Sequence, residues 1–158
     1  MPGCVAENVV DSNVALTVMK TNTRGVVDMN ETIKNLLERR SVRGYKEDLV
    51  PEEVLNEILE AGEYAPSGMG QQGTLMVVTQ NPELVAKLSK MNADVMGTES
   101  DPFYGAPTVV VVFADSNMPT CVENGSLVMG NLMNAAHALG VDSCWIHRAR
   151  EVFASEEG

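Results

Sequence analysis

The sequence has few aromatic residues, few cysteines and no long apolar run. Aromatic side chains make up 4% of the 158 residues, and there are three cysteines. An odd number of irregularly spaced cysteines argues against a disulfide framework and indicates a reducing, cytoplasmic location. No apolar run approaches the roughly 20 residues that cross a bilayer. The acidic start of the chain is not typical of a signal peptide, so we expect neither export nor membrane binding.

Basic residues are also scarce. Eleven lysines and arginines face 22 acidic residues, which gives a net charge of −11 and argues against nucleic acid as a partner. Five of the bases nevertheless lie in one short stretch: Lys34, Arg39, Arg40, Arg43 and Lys46. A bound anion would explain this grouping. The C-terminal end of a helix would explain it equally well, because the helix dipole favours cations there.

What the sequence does contain is an alternation of helical and strand patterns. Capping and periodicity predict helices that start near Asn30, Pro51, Asn81, Val122 and Ala149. β-branched, apolar runs predict strands at residues 75–79, 108–114 and 143–147. Residues 108–114 are apolar at almost every position, so both faces of that strand should be covered. The alternation predicts one layered domain of the α/β or α+β class.

Standard catalytic motifs are missing. We find no Gly-x-Gly-x-x-Gly after a strand, no P-loop, no His-Glu-x-x-His and no Gly-x-Ser-x-Gly. A metal site built from Cys121, Cys144 and His147 is a weak alternative, because no second paired cluster supplies the remaining ligands. We therefore expect no metal.

Two polar segments remain as candidates for ligand binding. The arginine cluster offers planar guanidinium groups suited to phosphate, and Ser41 adds a hydroxyl. The loop at residues 65–73 offers Ser67, Gln72 and exposed backbone amides. A flat ligand with a phosphate tail would use both segments.

Three motifs in order make this interpretation more specific. They are Arg39-Arg40-Ser41-Val42-Arg43-Gly44-Tyr45, Val50-Pro51-Glu52-Glu53-Val54-Leu55 and Ala65-Pro66-Ser67-Gly68-Met69-Gly70-Gln71-Gln72-Gly73. Further along, residues 103–107, 130–132 and 144–147 fit the same pattern. In this combination the chain resembles the FMN-dependent nitroreductase family, from about residue 29 to residue 158.

The resemblance implies an α+β, three-layer fold in which helices flank a central mixed sheet, and a homodimer with FMN at the subunit interface. NADH or NADPH would deliver a hydride, and a small nitroaromatic, quinone or similar acceptor would take the electrons in a ping-pong reaction. The flavin would perform the chemistry, so no protein residue is assigned as catalytic. A non-catalytic flavin-binding protein or dimeric scaffold is the alternative.

The resemblance also implies which residues hold the cofactor. The phosphate and ribityl chain would contact Arg39, Arg40 and Ser41, and the N1–O2 edge of the flavin would lie near Arg43. Residues expected to reach the ring from the other subunit are Pro66, Ser67, Gly68 and Gln72. Residues expected at a polar edge or along the other side of the ring are Asn92, Ile146 and His147.

The chain departs from the family pattern in three places. Gly70 and Gly73 replace an asparagine and a proline of the family loop, and both changes should loosen it. Residues 1–28 form an N-terminal extension, and the chain stops before a family strand. Our hypothesis is that the strand-like segment 13–19 occupies the sheet edge left open. The alternative hypothesis is that residues 1–28 form an unstructured N-terminal tail.

Overall fold

A computed structural model describes residues 29–158 of the chain. The helices are α1 (Glu31–Glu38), α2 (Glu52–Glu63), α3 (Pro82–Met96), α4 (Cys121–Ala138) and α5 (Ala149–Phe153). The strands are β1 (Thr74–Thr79) and β2 (Val109–Ala114), and a short 3-10 turn, Gly68–Gly70, precedes β1. Segment 13–19 lies outside the described residues, so its placement at a sheet edge stays a prediction.

Local signals set the starts of the helices, and the capping predictions are confirmed. The side chain of Asn30 accepts a hydrogen bond from the Thr32 N–H at 2.9 Å and caps α1. Asn81 caps α3 in the same way, followed by Pro82 in the first turn. Pro51 occupies the N-cap position of α2, immediately before the first helical residue, Glu52.

The sheet is smaller than the resemblance implied. Strands β1 and β2 pair antiparallel, in the register Thr74↔Ala114 to Thr79↔Val109. Within residues 29–158 the one parallel element is an isolated bridge, Ser41↔Ser143. The α+β class is confirmed. The prediction of a strand at residues 143–147 is wrong, because within residues 29–158 this segment pairs through one isolated bridge and forms no continuous ladder.

One face of the sheet packs against the core. That core lies between α2, α4 and the sheet, and its buried members are Ile58, Ala65, Val128, Leu132 and Ala136. Met76, Val110 and Val112 of the sheet pack against it. Gly62 permits the close approach of α2 to α4, because a Cβ there would lie 2.8 Å from Leu132 Cδ2.

Among residues 29–158, the opposite face of the sheet is largely exposed. Leu75 is 62% exposed and Val77 is 46% exposed. Phe113 on the same face contacts Phe153 of α5, with ring centroids 5.0 Å apart. The prediction that both faces of β2 are covered holds in part within the described residues, because every residue of β2 except Phe113 is half-buried.

Other apolar surface is also left exposed. The stripe of α1 formed by Ile33, Leu36 and Leu37 is about half exposed, although Asn35 ties α1 to α4 through the Asn134 carbonyl at 2.9 Å. Helix α4 buries one stripe, and its Val122 is 70% exposed. Among the described helices, none combines the length and the apolarity needed to span a membrane.

Candidate functional site

The structure gathers the sequence-predicted site residues into two groups. The first group lies on segments 39–45 and 143–148, which the Ser41↔Ser143 bridge joins, together with Asn92 of α3. The second group lies on the loop before β1: Pro66, Ser67, Gly68 and Gln72. No hydrogen bond between residues 29 and 158 connects the two groups.

The two adjacent arginines at the end of α1, Arg39 and Arg40, differ in their hydrogen bonds. Arg40 donates from Nη1 to the carbonyls of Leu37 at 2.6 Å and Arg39 at 2.8 Å, which satisfies the C-terminal end of α1. Arg39 Nη1 is buried and has no hydrogen-bond partner within residues 29–158. A buried guanidinium donor without an acceptor is unfavourable, so an oxyanion such as a phosphate fits this position.

A second unpartnered group lies nearby in the fold. Ser143 Oγ is buried without a hydrogen-bond partner in the described part of the chain. Ser143 forms the bridge with Ser41, and bridge partners direct their side chains to the same face. The sequence analysis missed Ser143, although it immediately precedes the Cys144–His147 motif. The bridge brings Ser143 next to Ser41, whose hydroxyl is predicted to contact the cofactor.

Tyr45 fixes the turn that follows the arginine run. Its hydroxyl donates to the Val42 carbonyl at 2.6 Å. The pKa of Tyr45 is raised to about 12, first by burial and then by Cys144 and Asp142, while Arg43 acts in the opposite direction. The Tyr45 phenol is therefore neutral at physiological pH and forms no ion pair with the exposed Arg43.

The raised pKa predicts a loss of stability at high pH. The unfolded chain releases this proton near pH 10, whereas the folded chain holds it to about pH 12. The contribution of Tyr45 is thus complete below pH 10 and disappears as the pH rises towards 12. Tyr45→Phe should show a shallower fall in this window. The measurement is urea unfolding of both proteins at several pH values, and parallel curves would contradict the assignment.

The first group of site residues also includes the buried side-chain amide of Asn92. Asn92 is 4% exposed, and its Nδ2 donates to the His147 carbonyl at 2.9 Å. Its Oδ1 accepts from Arg148 Nε at 3.1 Å. Asn92 thus contacts His147, which the resemblance assigns to the same cofactor site, and also Arg148, which was not predicted from the sequence.

The loop group is held in place by side chain to backbone hydrogen bonds. Ser67 Oγ accepts from the Gln72 N–H at 2.9 Å, and Gln72 Nε2 donates to the Glu63 carbonyl at 2.8 Å. The Gly68 N–H donates to Asn124 Oδ1 at 2.9 Å. A wide, open cavity of about 620 Å³ lies along residues 63–72 and includes Pro66 and Ser67 in its wall.

Glycine occupies positions 70 and 73 of the loop for two different structural reasons. Gly70 adopts φ +66° and has open space around it, as a turn requires. Gly73 lies so close to Met118 that a Cβ would collide with the sulfur. Its carbonyl also accepts from the Asp115 N–H at 2.9 Å. The expectation that glycine at 73 loosens the loop is therefore wrong, since this position is tightly packed.

The metal alternative finds no support in the described residues. Between residues 29 and 158, no three His, Cys, Asp or Glu side chains come together as a metal ion would need. Cys121 and Cys144 are half-buried free thiols.

Sequence comparisons match the chain to proteins with flavin-related names. The model of the nitroreductase family matches residues 36–152. A Methanothermobacter thermautotrophicus protein named NADH dehydrogenase/NAD(P)H nitroreductase is 28% identical over 142 residues, which cover 84% of this chain and 68% of the relative. A Bacillus subtilis protein named FMN reductase (NAD(P)H) is 38% identical over 63 residues, covering 40% of this chain and 25% of the relative.

Solved structures match the fold as well. A Bacteroides fragilis nitroreductase with bound FMN superposes with a TM-score of 0.71 at 29% identity, covering 79% of this chain and 77% of that one. An FMN-dependent nitroreductase of Clostridium difficile gives a TM-score of 0.73 at 30% identity, covering 81% and 65%. The family match includes the arginine run, the loop before β1 and the Asn92–Arg148 region. This chain belongs to the nitroreductase family.

Proposed function

We propose that this protein is an NAD(P)H-dependent flavin oxidoreductase that binds FMN and reduces a nitroaromatic, a quinone or a similar small acceptor. The observation that carries the proposal is the buried Nη1 of Arg39, which lacks a partner among residues 29–158 and suits a phosphate oxygen. The names of the matched proteins, which mention FMN and NAD(P)H, support the choice of cofactor and electron donor.

The first group of residues holds the phosphate end. Arg39 supplies the charge, and Ser41 and Ser143 supply hydroxyls on one face of their bridge. Arg40 contributes through the end of α1, because its Nη1 is already bound to two carbonyls. Arg43 is exposed and lies at the N1–O2 edge in this proposal, where a cation favours the negative charge of the reduced state.

When bound, FMN would supply the redox chemistry, a ping-pong transfer of a hydride from NAD(P)H and of electrons to the acceptor. The protein orients the ring. Asn92 has one remaining N–H for a polar flavin edge, since its other contacts hold His147 and Arg148. Ile146 and His147 line one side of the ring.

The loop before β1 completes the site from a second copy of the chain. Pro66, Ser67, Gly68 and Gln72 are held together by the hydrogen bonds of their own loop, so the loop is already shaped for a ligand. The exposed apolar surfaces of α1 and α4 provide area for a homodimer interface.

Purification and visible spectroscopy of the full chain test the proposal. We expect a yellow protein, or one that becomes yellow with added FMN, that oxidises NAD(P)H when a nitroaromatic or a quinone is added. A flavin-loaded protein without NAD(P)H oxidation would instead support the non-catalytic alternative. A chain that stays colourless at saturating FMN would contradict the cofactor assignment.

A further inference from the structure

The corner between His147 and Arg148 is held by a single buried side chain. Asn92 of α3 receives Arg148 Nε on its oxygen and donates from its nitrogen to the His147 carbonyl. One bond holds the peptide carbonyl of His147, and the other holds the side chain of Arg148, the next residue. Asn92 is 4% exposed, so water does not compete well for either bond.

The backbone at this corner is strained. Arg148 has φ +78° and ψ 7°, the left-handed conformation that L-residues with a Cβ rarely adopt. The hydrogen bond from its own guanidinium to Asn92 opposes relaxation to an ordinary conformation. Strained residues of this kind persist where the surrounding structure holds them, and they concentrate at functional sites.

The corner also fixes the direction of a peptide group. All described peptide bonds are trans, so the N–H of Arg148 points opposite to the His147 carbonyl. That carbonyl is turned towards α3 by Asn92. The N–H of Arg148 therefore points away from α3, and it has no acceptor within residues 29–158.

We propose that Arg148 is a positioning residue of the cofactor site. Through Asn92 it holds the His147–Arg148 corner in the left-handed conformation and so sets the wall formed by Ile146 and His147. This inference rests on the proposed function, because that wall is where the flavin ring is expected. The guanidinium acts through the backbone and need not touch the flavin.

Alanine and glycine substitutions separate this role from others. Arg148→Ala removes the bond to Asn92 but keeps the strain, so the corner should relax. We expect kcat for NAD(P)H oxidation to fall about tenfold, KM to change less, and the visible flavin spectrum to shift. Arg148→Gly removes the same bond but tolerates the left-handed conformation, so it should restore kcat to within about twofold of the wild type.

Arg150→Ala is the matched control, because Arg150 is an exposed arginine on α5, two residues after Arg148. It should behave as the wild type, and thermal unfolding should show all variants folded. Equal kcat and spectra for the wild type and Arg148→Ala would overturn the inference, and so would a glycine variant no better than the alanine one. A wild type that binds no FMN would instead contradict the proposed function itself.

Discussion

Replacing Arg39 by alanine will weaken FMN binding by about 1.5–3 kcal/mol, or roughly 10- to 150-fold in Kd. The reason is the buried Nη1 of Arg39, which has no hydrogen-bond partner in residues 29–158. A phosphate oxygen would give it a charge-assisted bond in a site partly shielded from water. Fluorescence titration of FMN into the apoprotein measures the change directly.

Three further variants sharpen this test. Arg43→Ala is expected to weaken binding in the same range, towards its lower end, because Arg43 is exposed and solvent screens its charge. Arg39→Lys keeps the charge but loses the planar fork, so it should fall between the wild type and Arg39→Ala. Arg150→Ala controls for net charge. Unchanged affinity in both Arg39→Ala and Arg43→Ala would refute the phosphate site.

The helices could be predicted because their signals are local. Asn30 and Asn81 cap the helices that follow them, and both caps appear in the structure as expected. Gly140 has φ +75° just beyond α4, the left-handed conformation that glycine commonly adopts after the end of a helix. Each signal depends on residues within one turn of the helix end, so a single sequence contains all the information needed.

The sheet could not be predicted to the same degree, since strand pairing depends on distant residues. Residues 143–147 have the composition of a strand, but within residues 29–158 the segment pairs at Ser143 alone. The sequence of strand β2 predicts burial on both faces, yet within residues 29–158 Phe113 on its outer face is 37% exposed. Neither outcome is visible from the residues of the strand itself.

The candidate site shows the same difference between residues with local signals and residues that depend on distant contacts. Arginines and loop residues were found because their side-chain chemistry and order are distinctive. Ser143, Arg148 and Asn124 were missed because they act through contacts with residues far along the chain. One signal was available for Asn124, because it lies on the same face of α4 as Val128 and Leu132, and an amide on an apolar face needs a hydrogen-bond partner when it is buried.

Replacing Asn124 by alanine will lower the free energy of unfolding by about 2–3 kcal/mol and weaken FMN binding. Asn124 is 2% exposed, and its Oδ1 accepts the Gly68 N–H at 2.9 Å. The alanine variant leaves that N–H without a partner and opens a cavity beside Met118. Urea unfolding with linear extrapolation measures the stability, and FMN titration measures the effect on the loop.

Asn56→Ala is the matched control, because Asn56 is an exposed asparagine within α2. It should change stability by less than about 0.5 kcal/mol, since alanine favours a helix and no buried bond is lost. Equal effects of the two substitutions would contradict the role of Asn124. A loss of stability in Asn124→Ala without weaker FMN binding would separate the fold from the site, because the loop with Pro66 and Ser67 would then keep its shape without this bond.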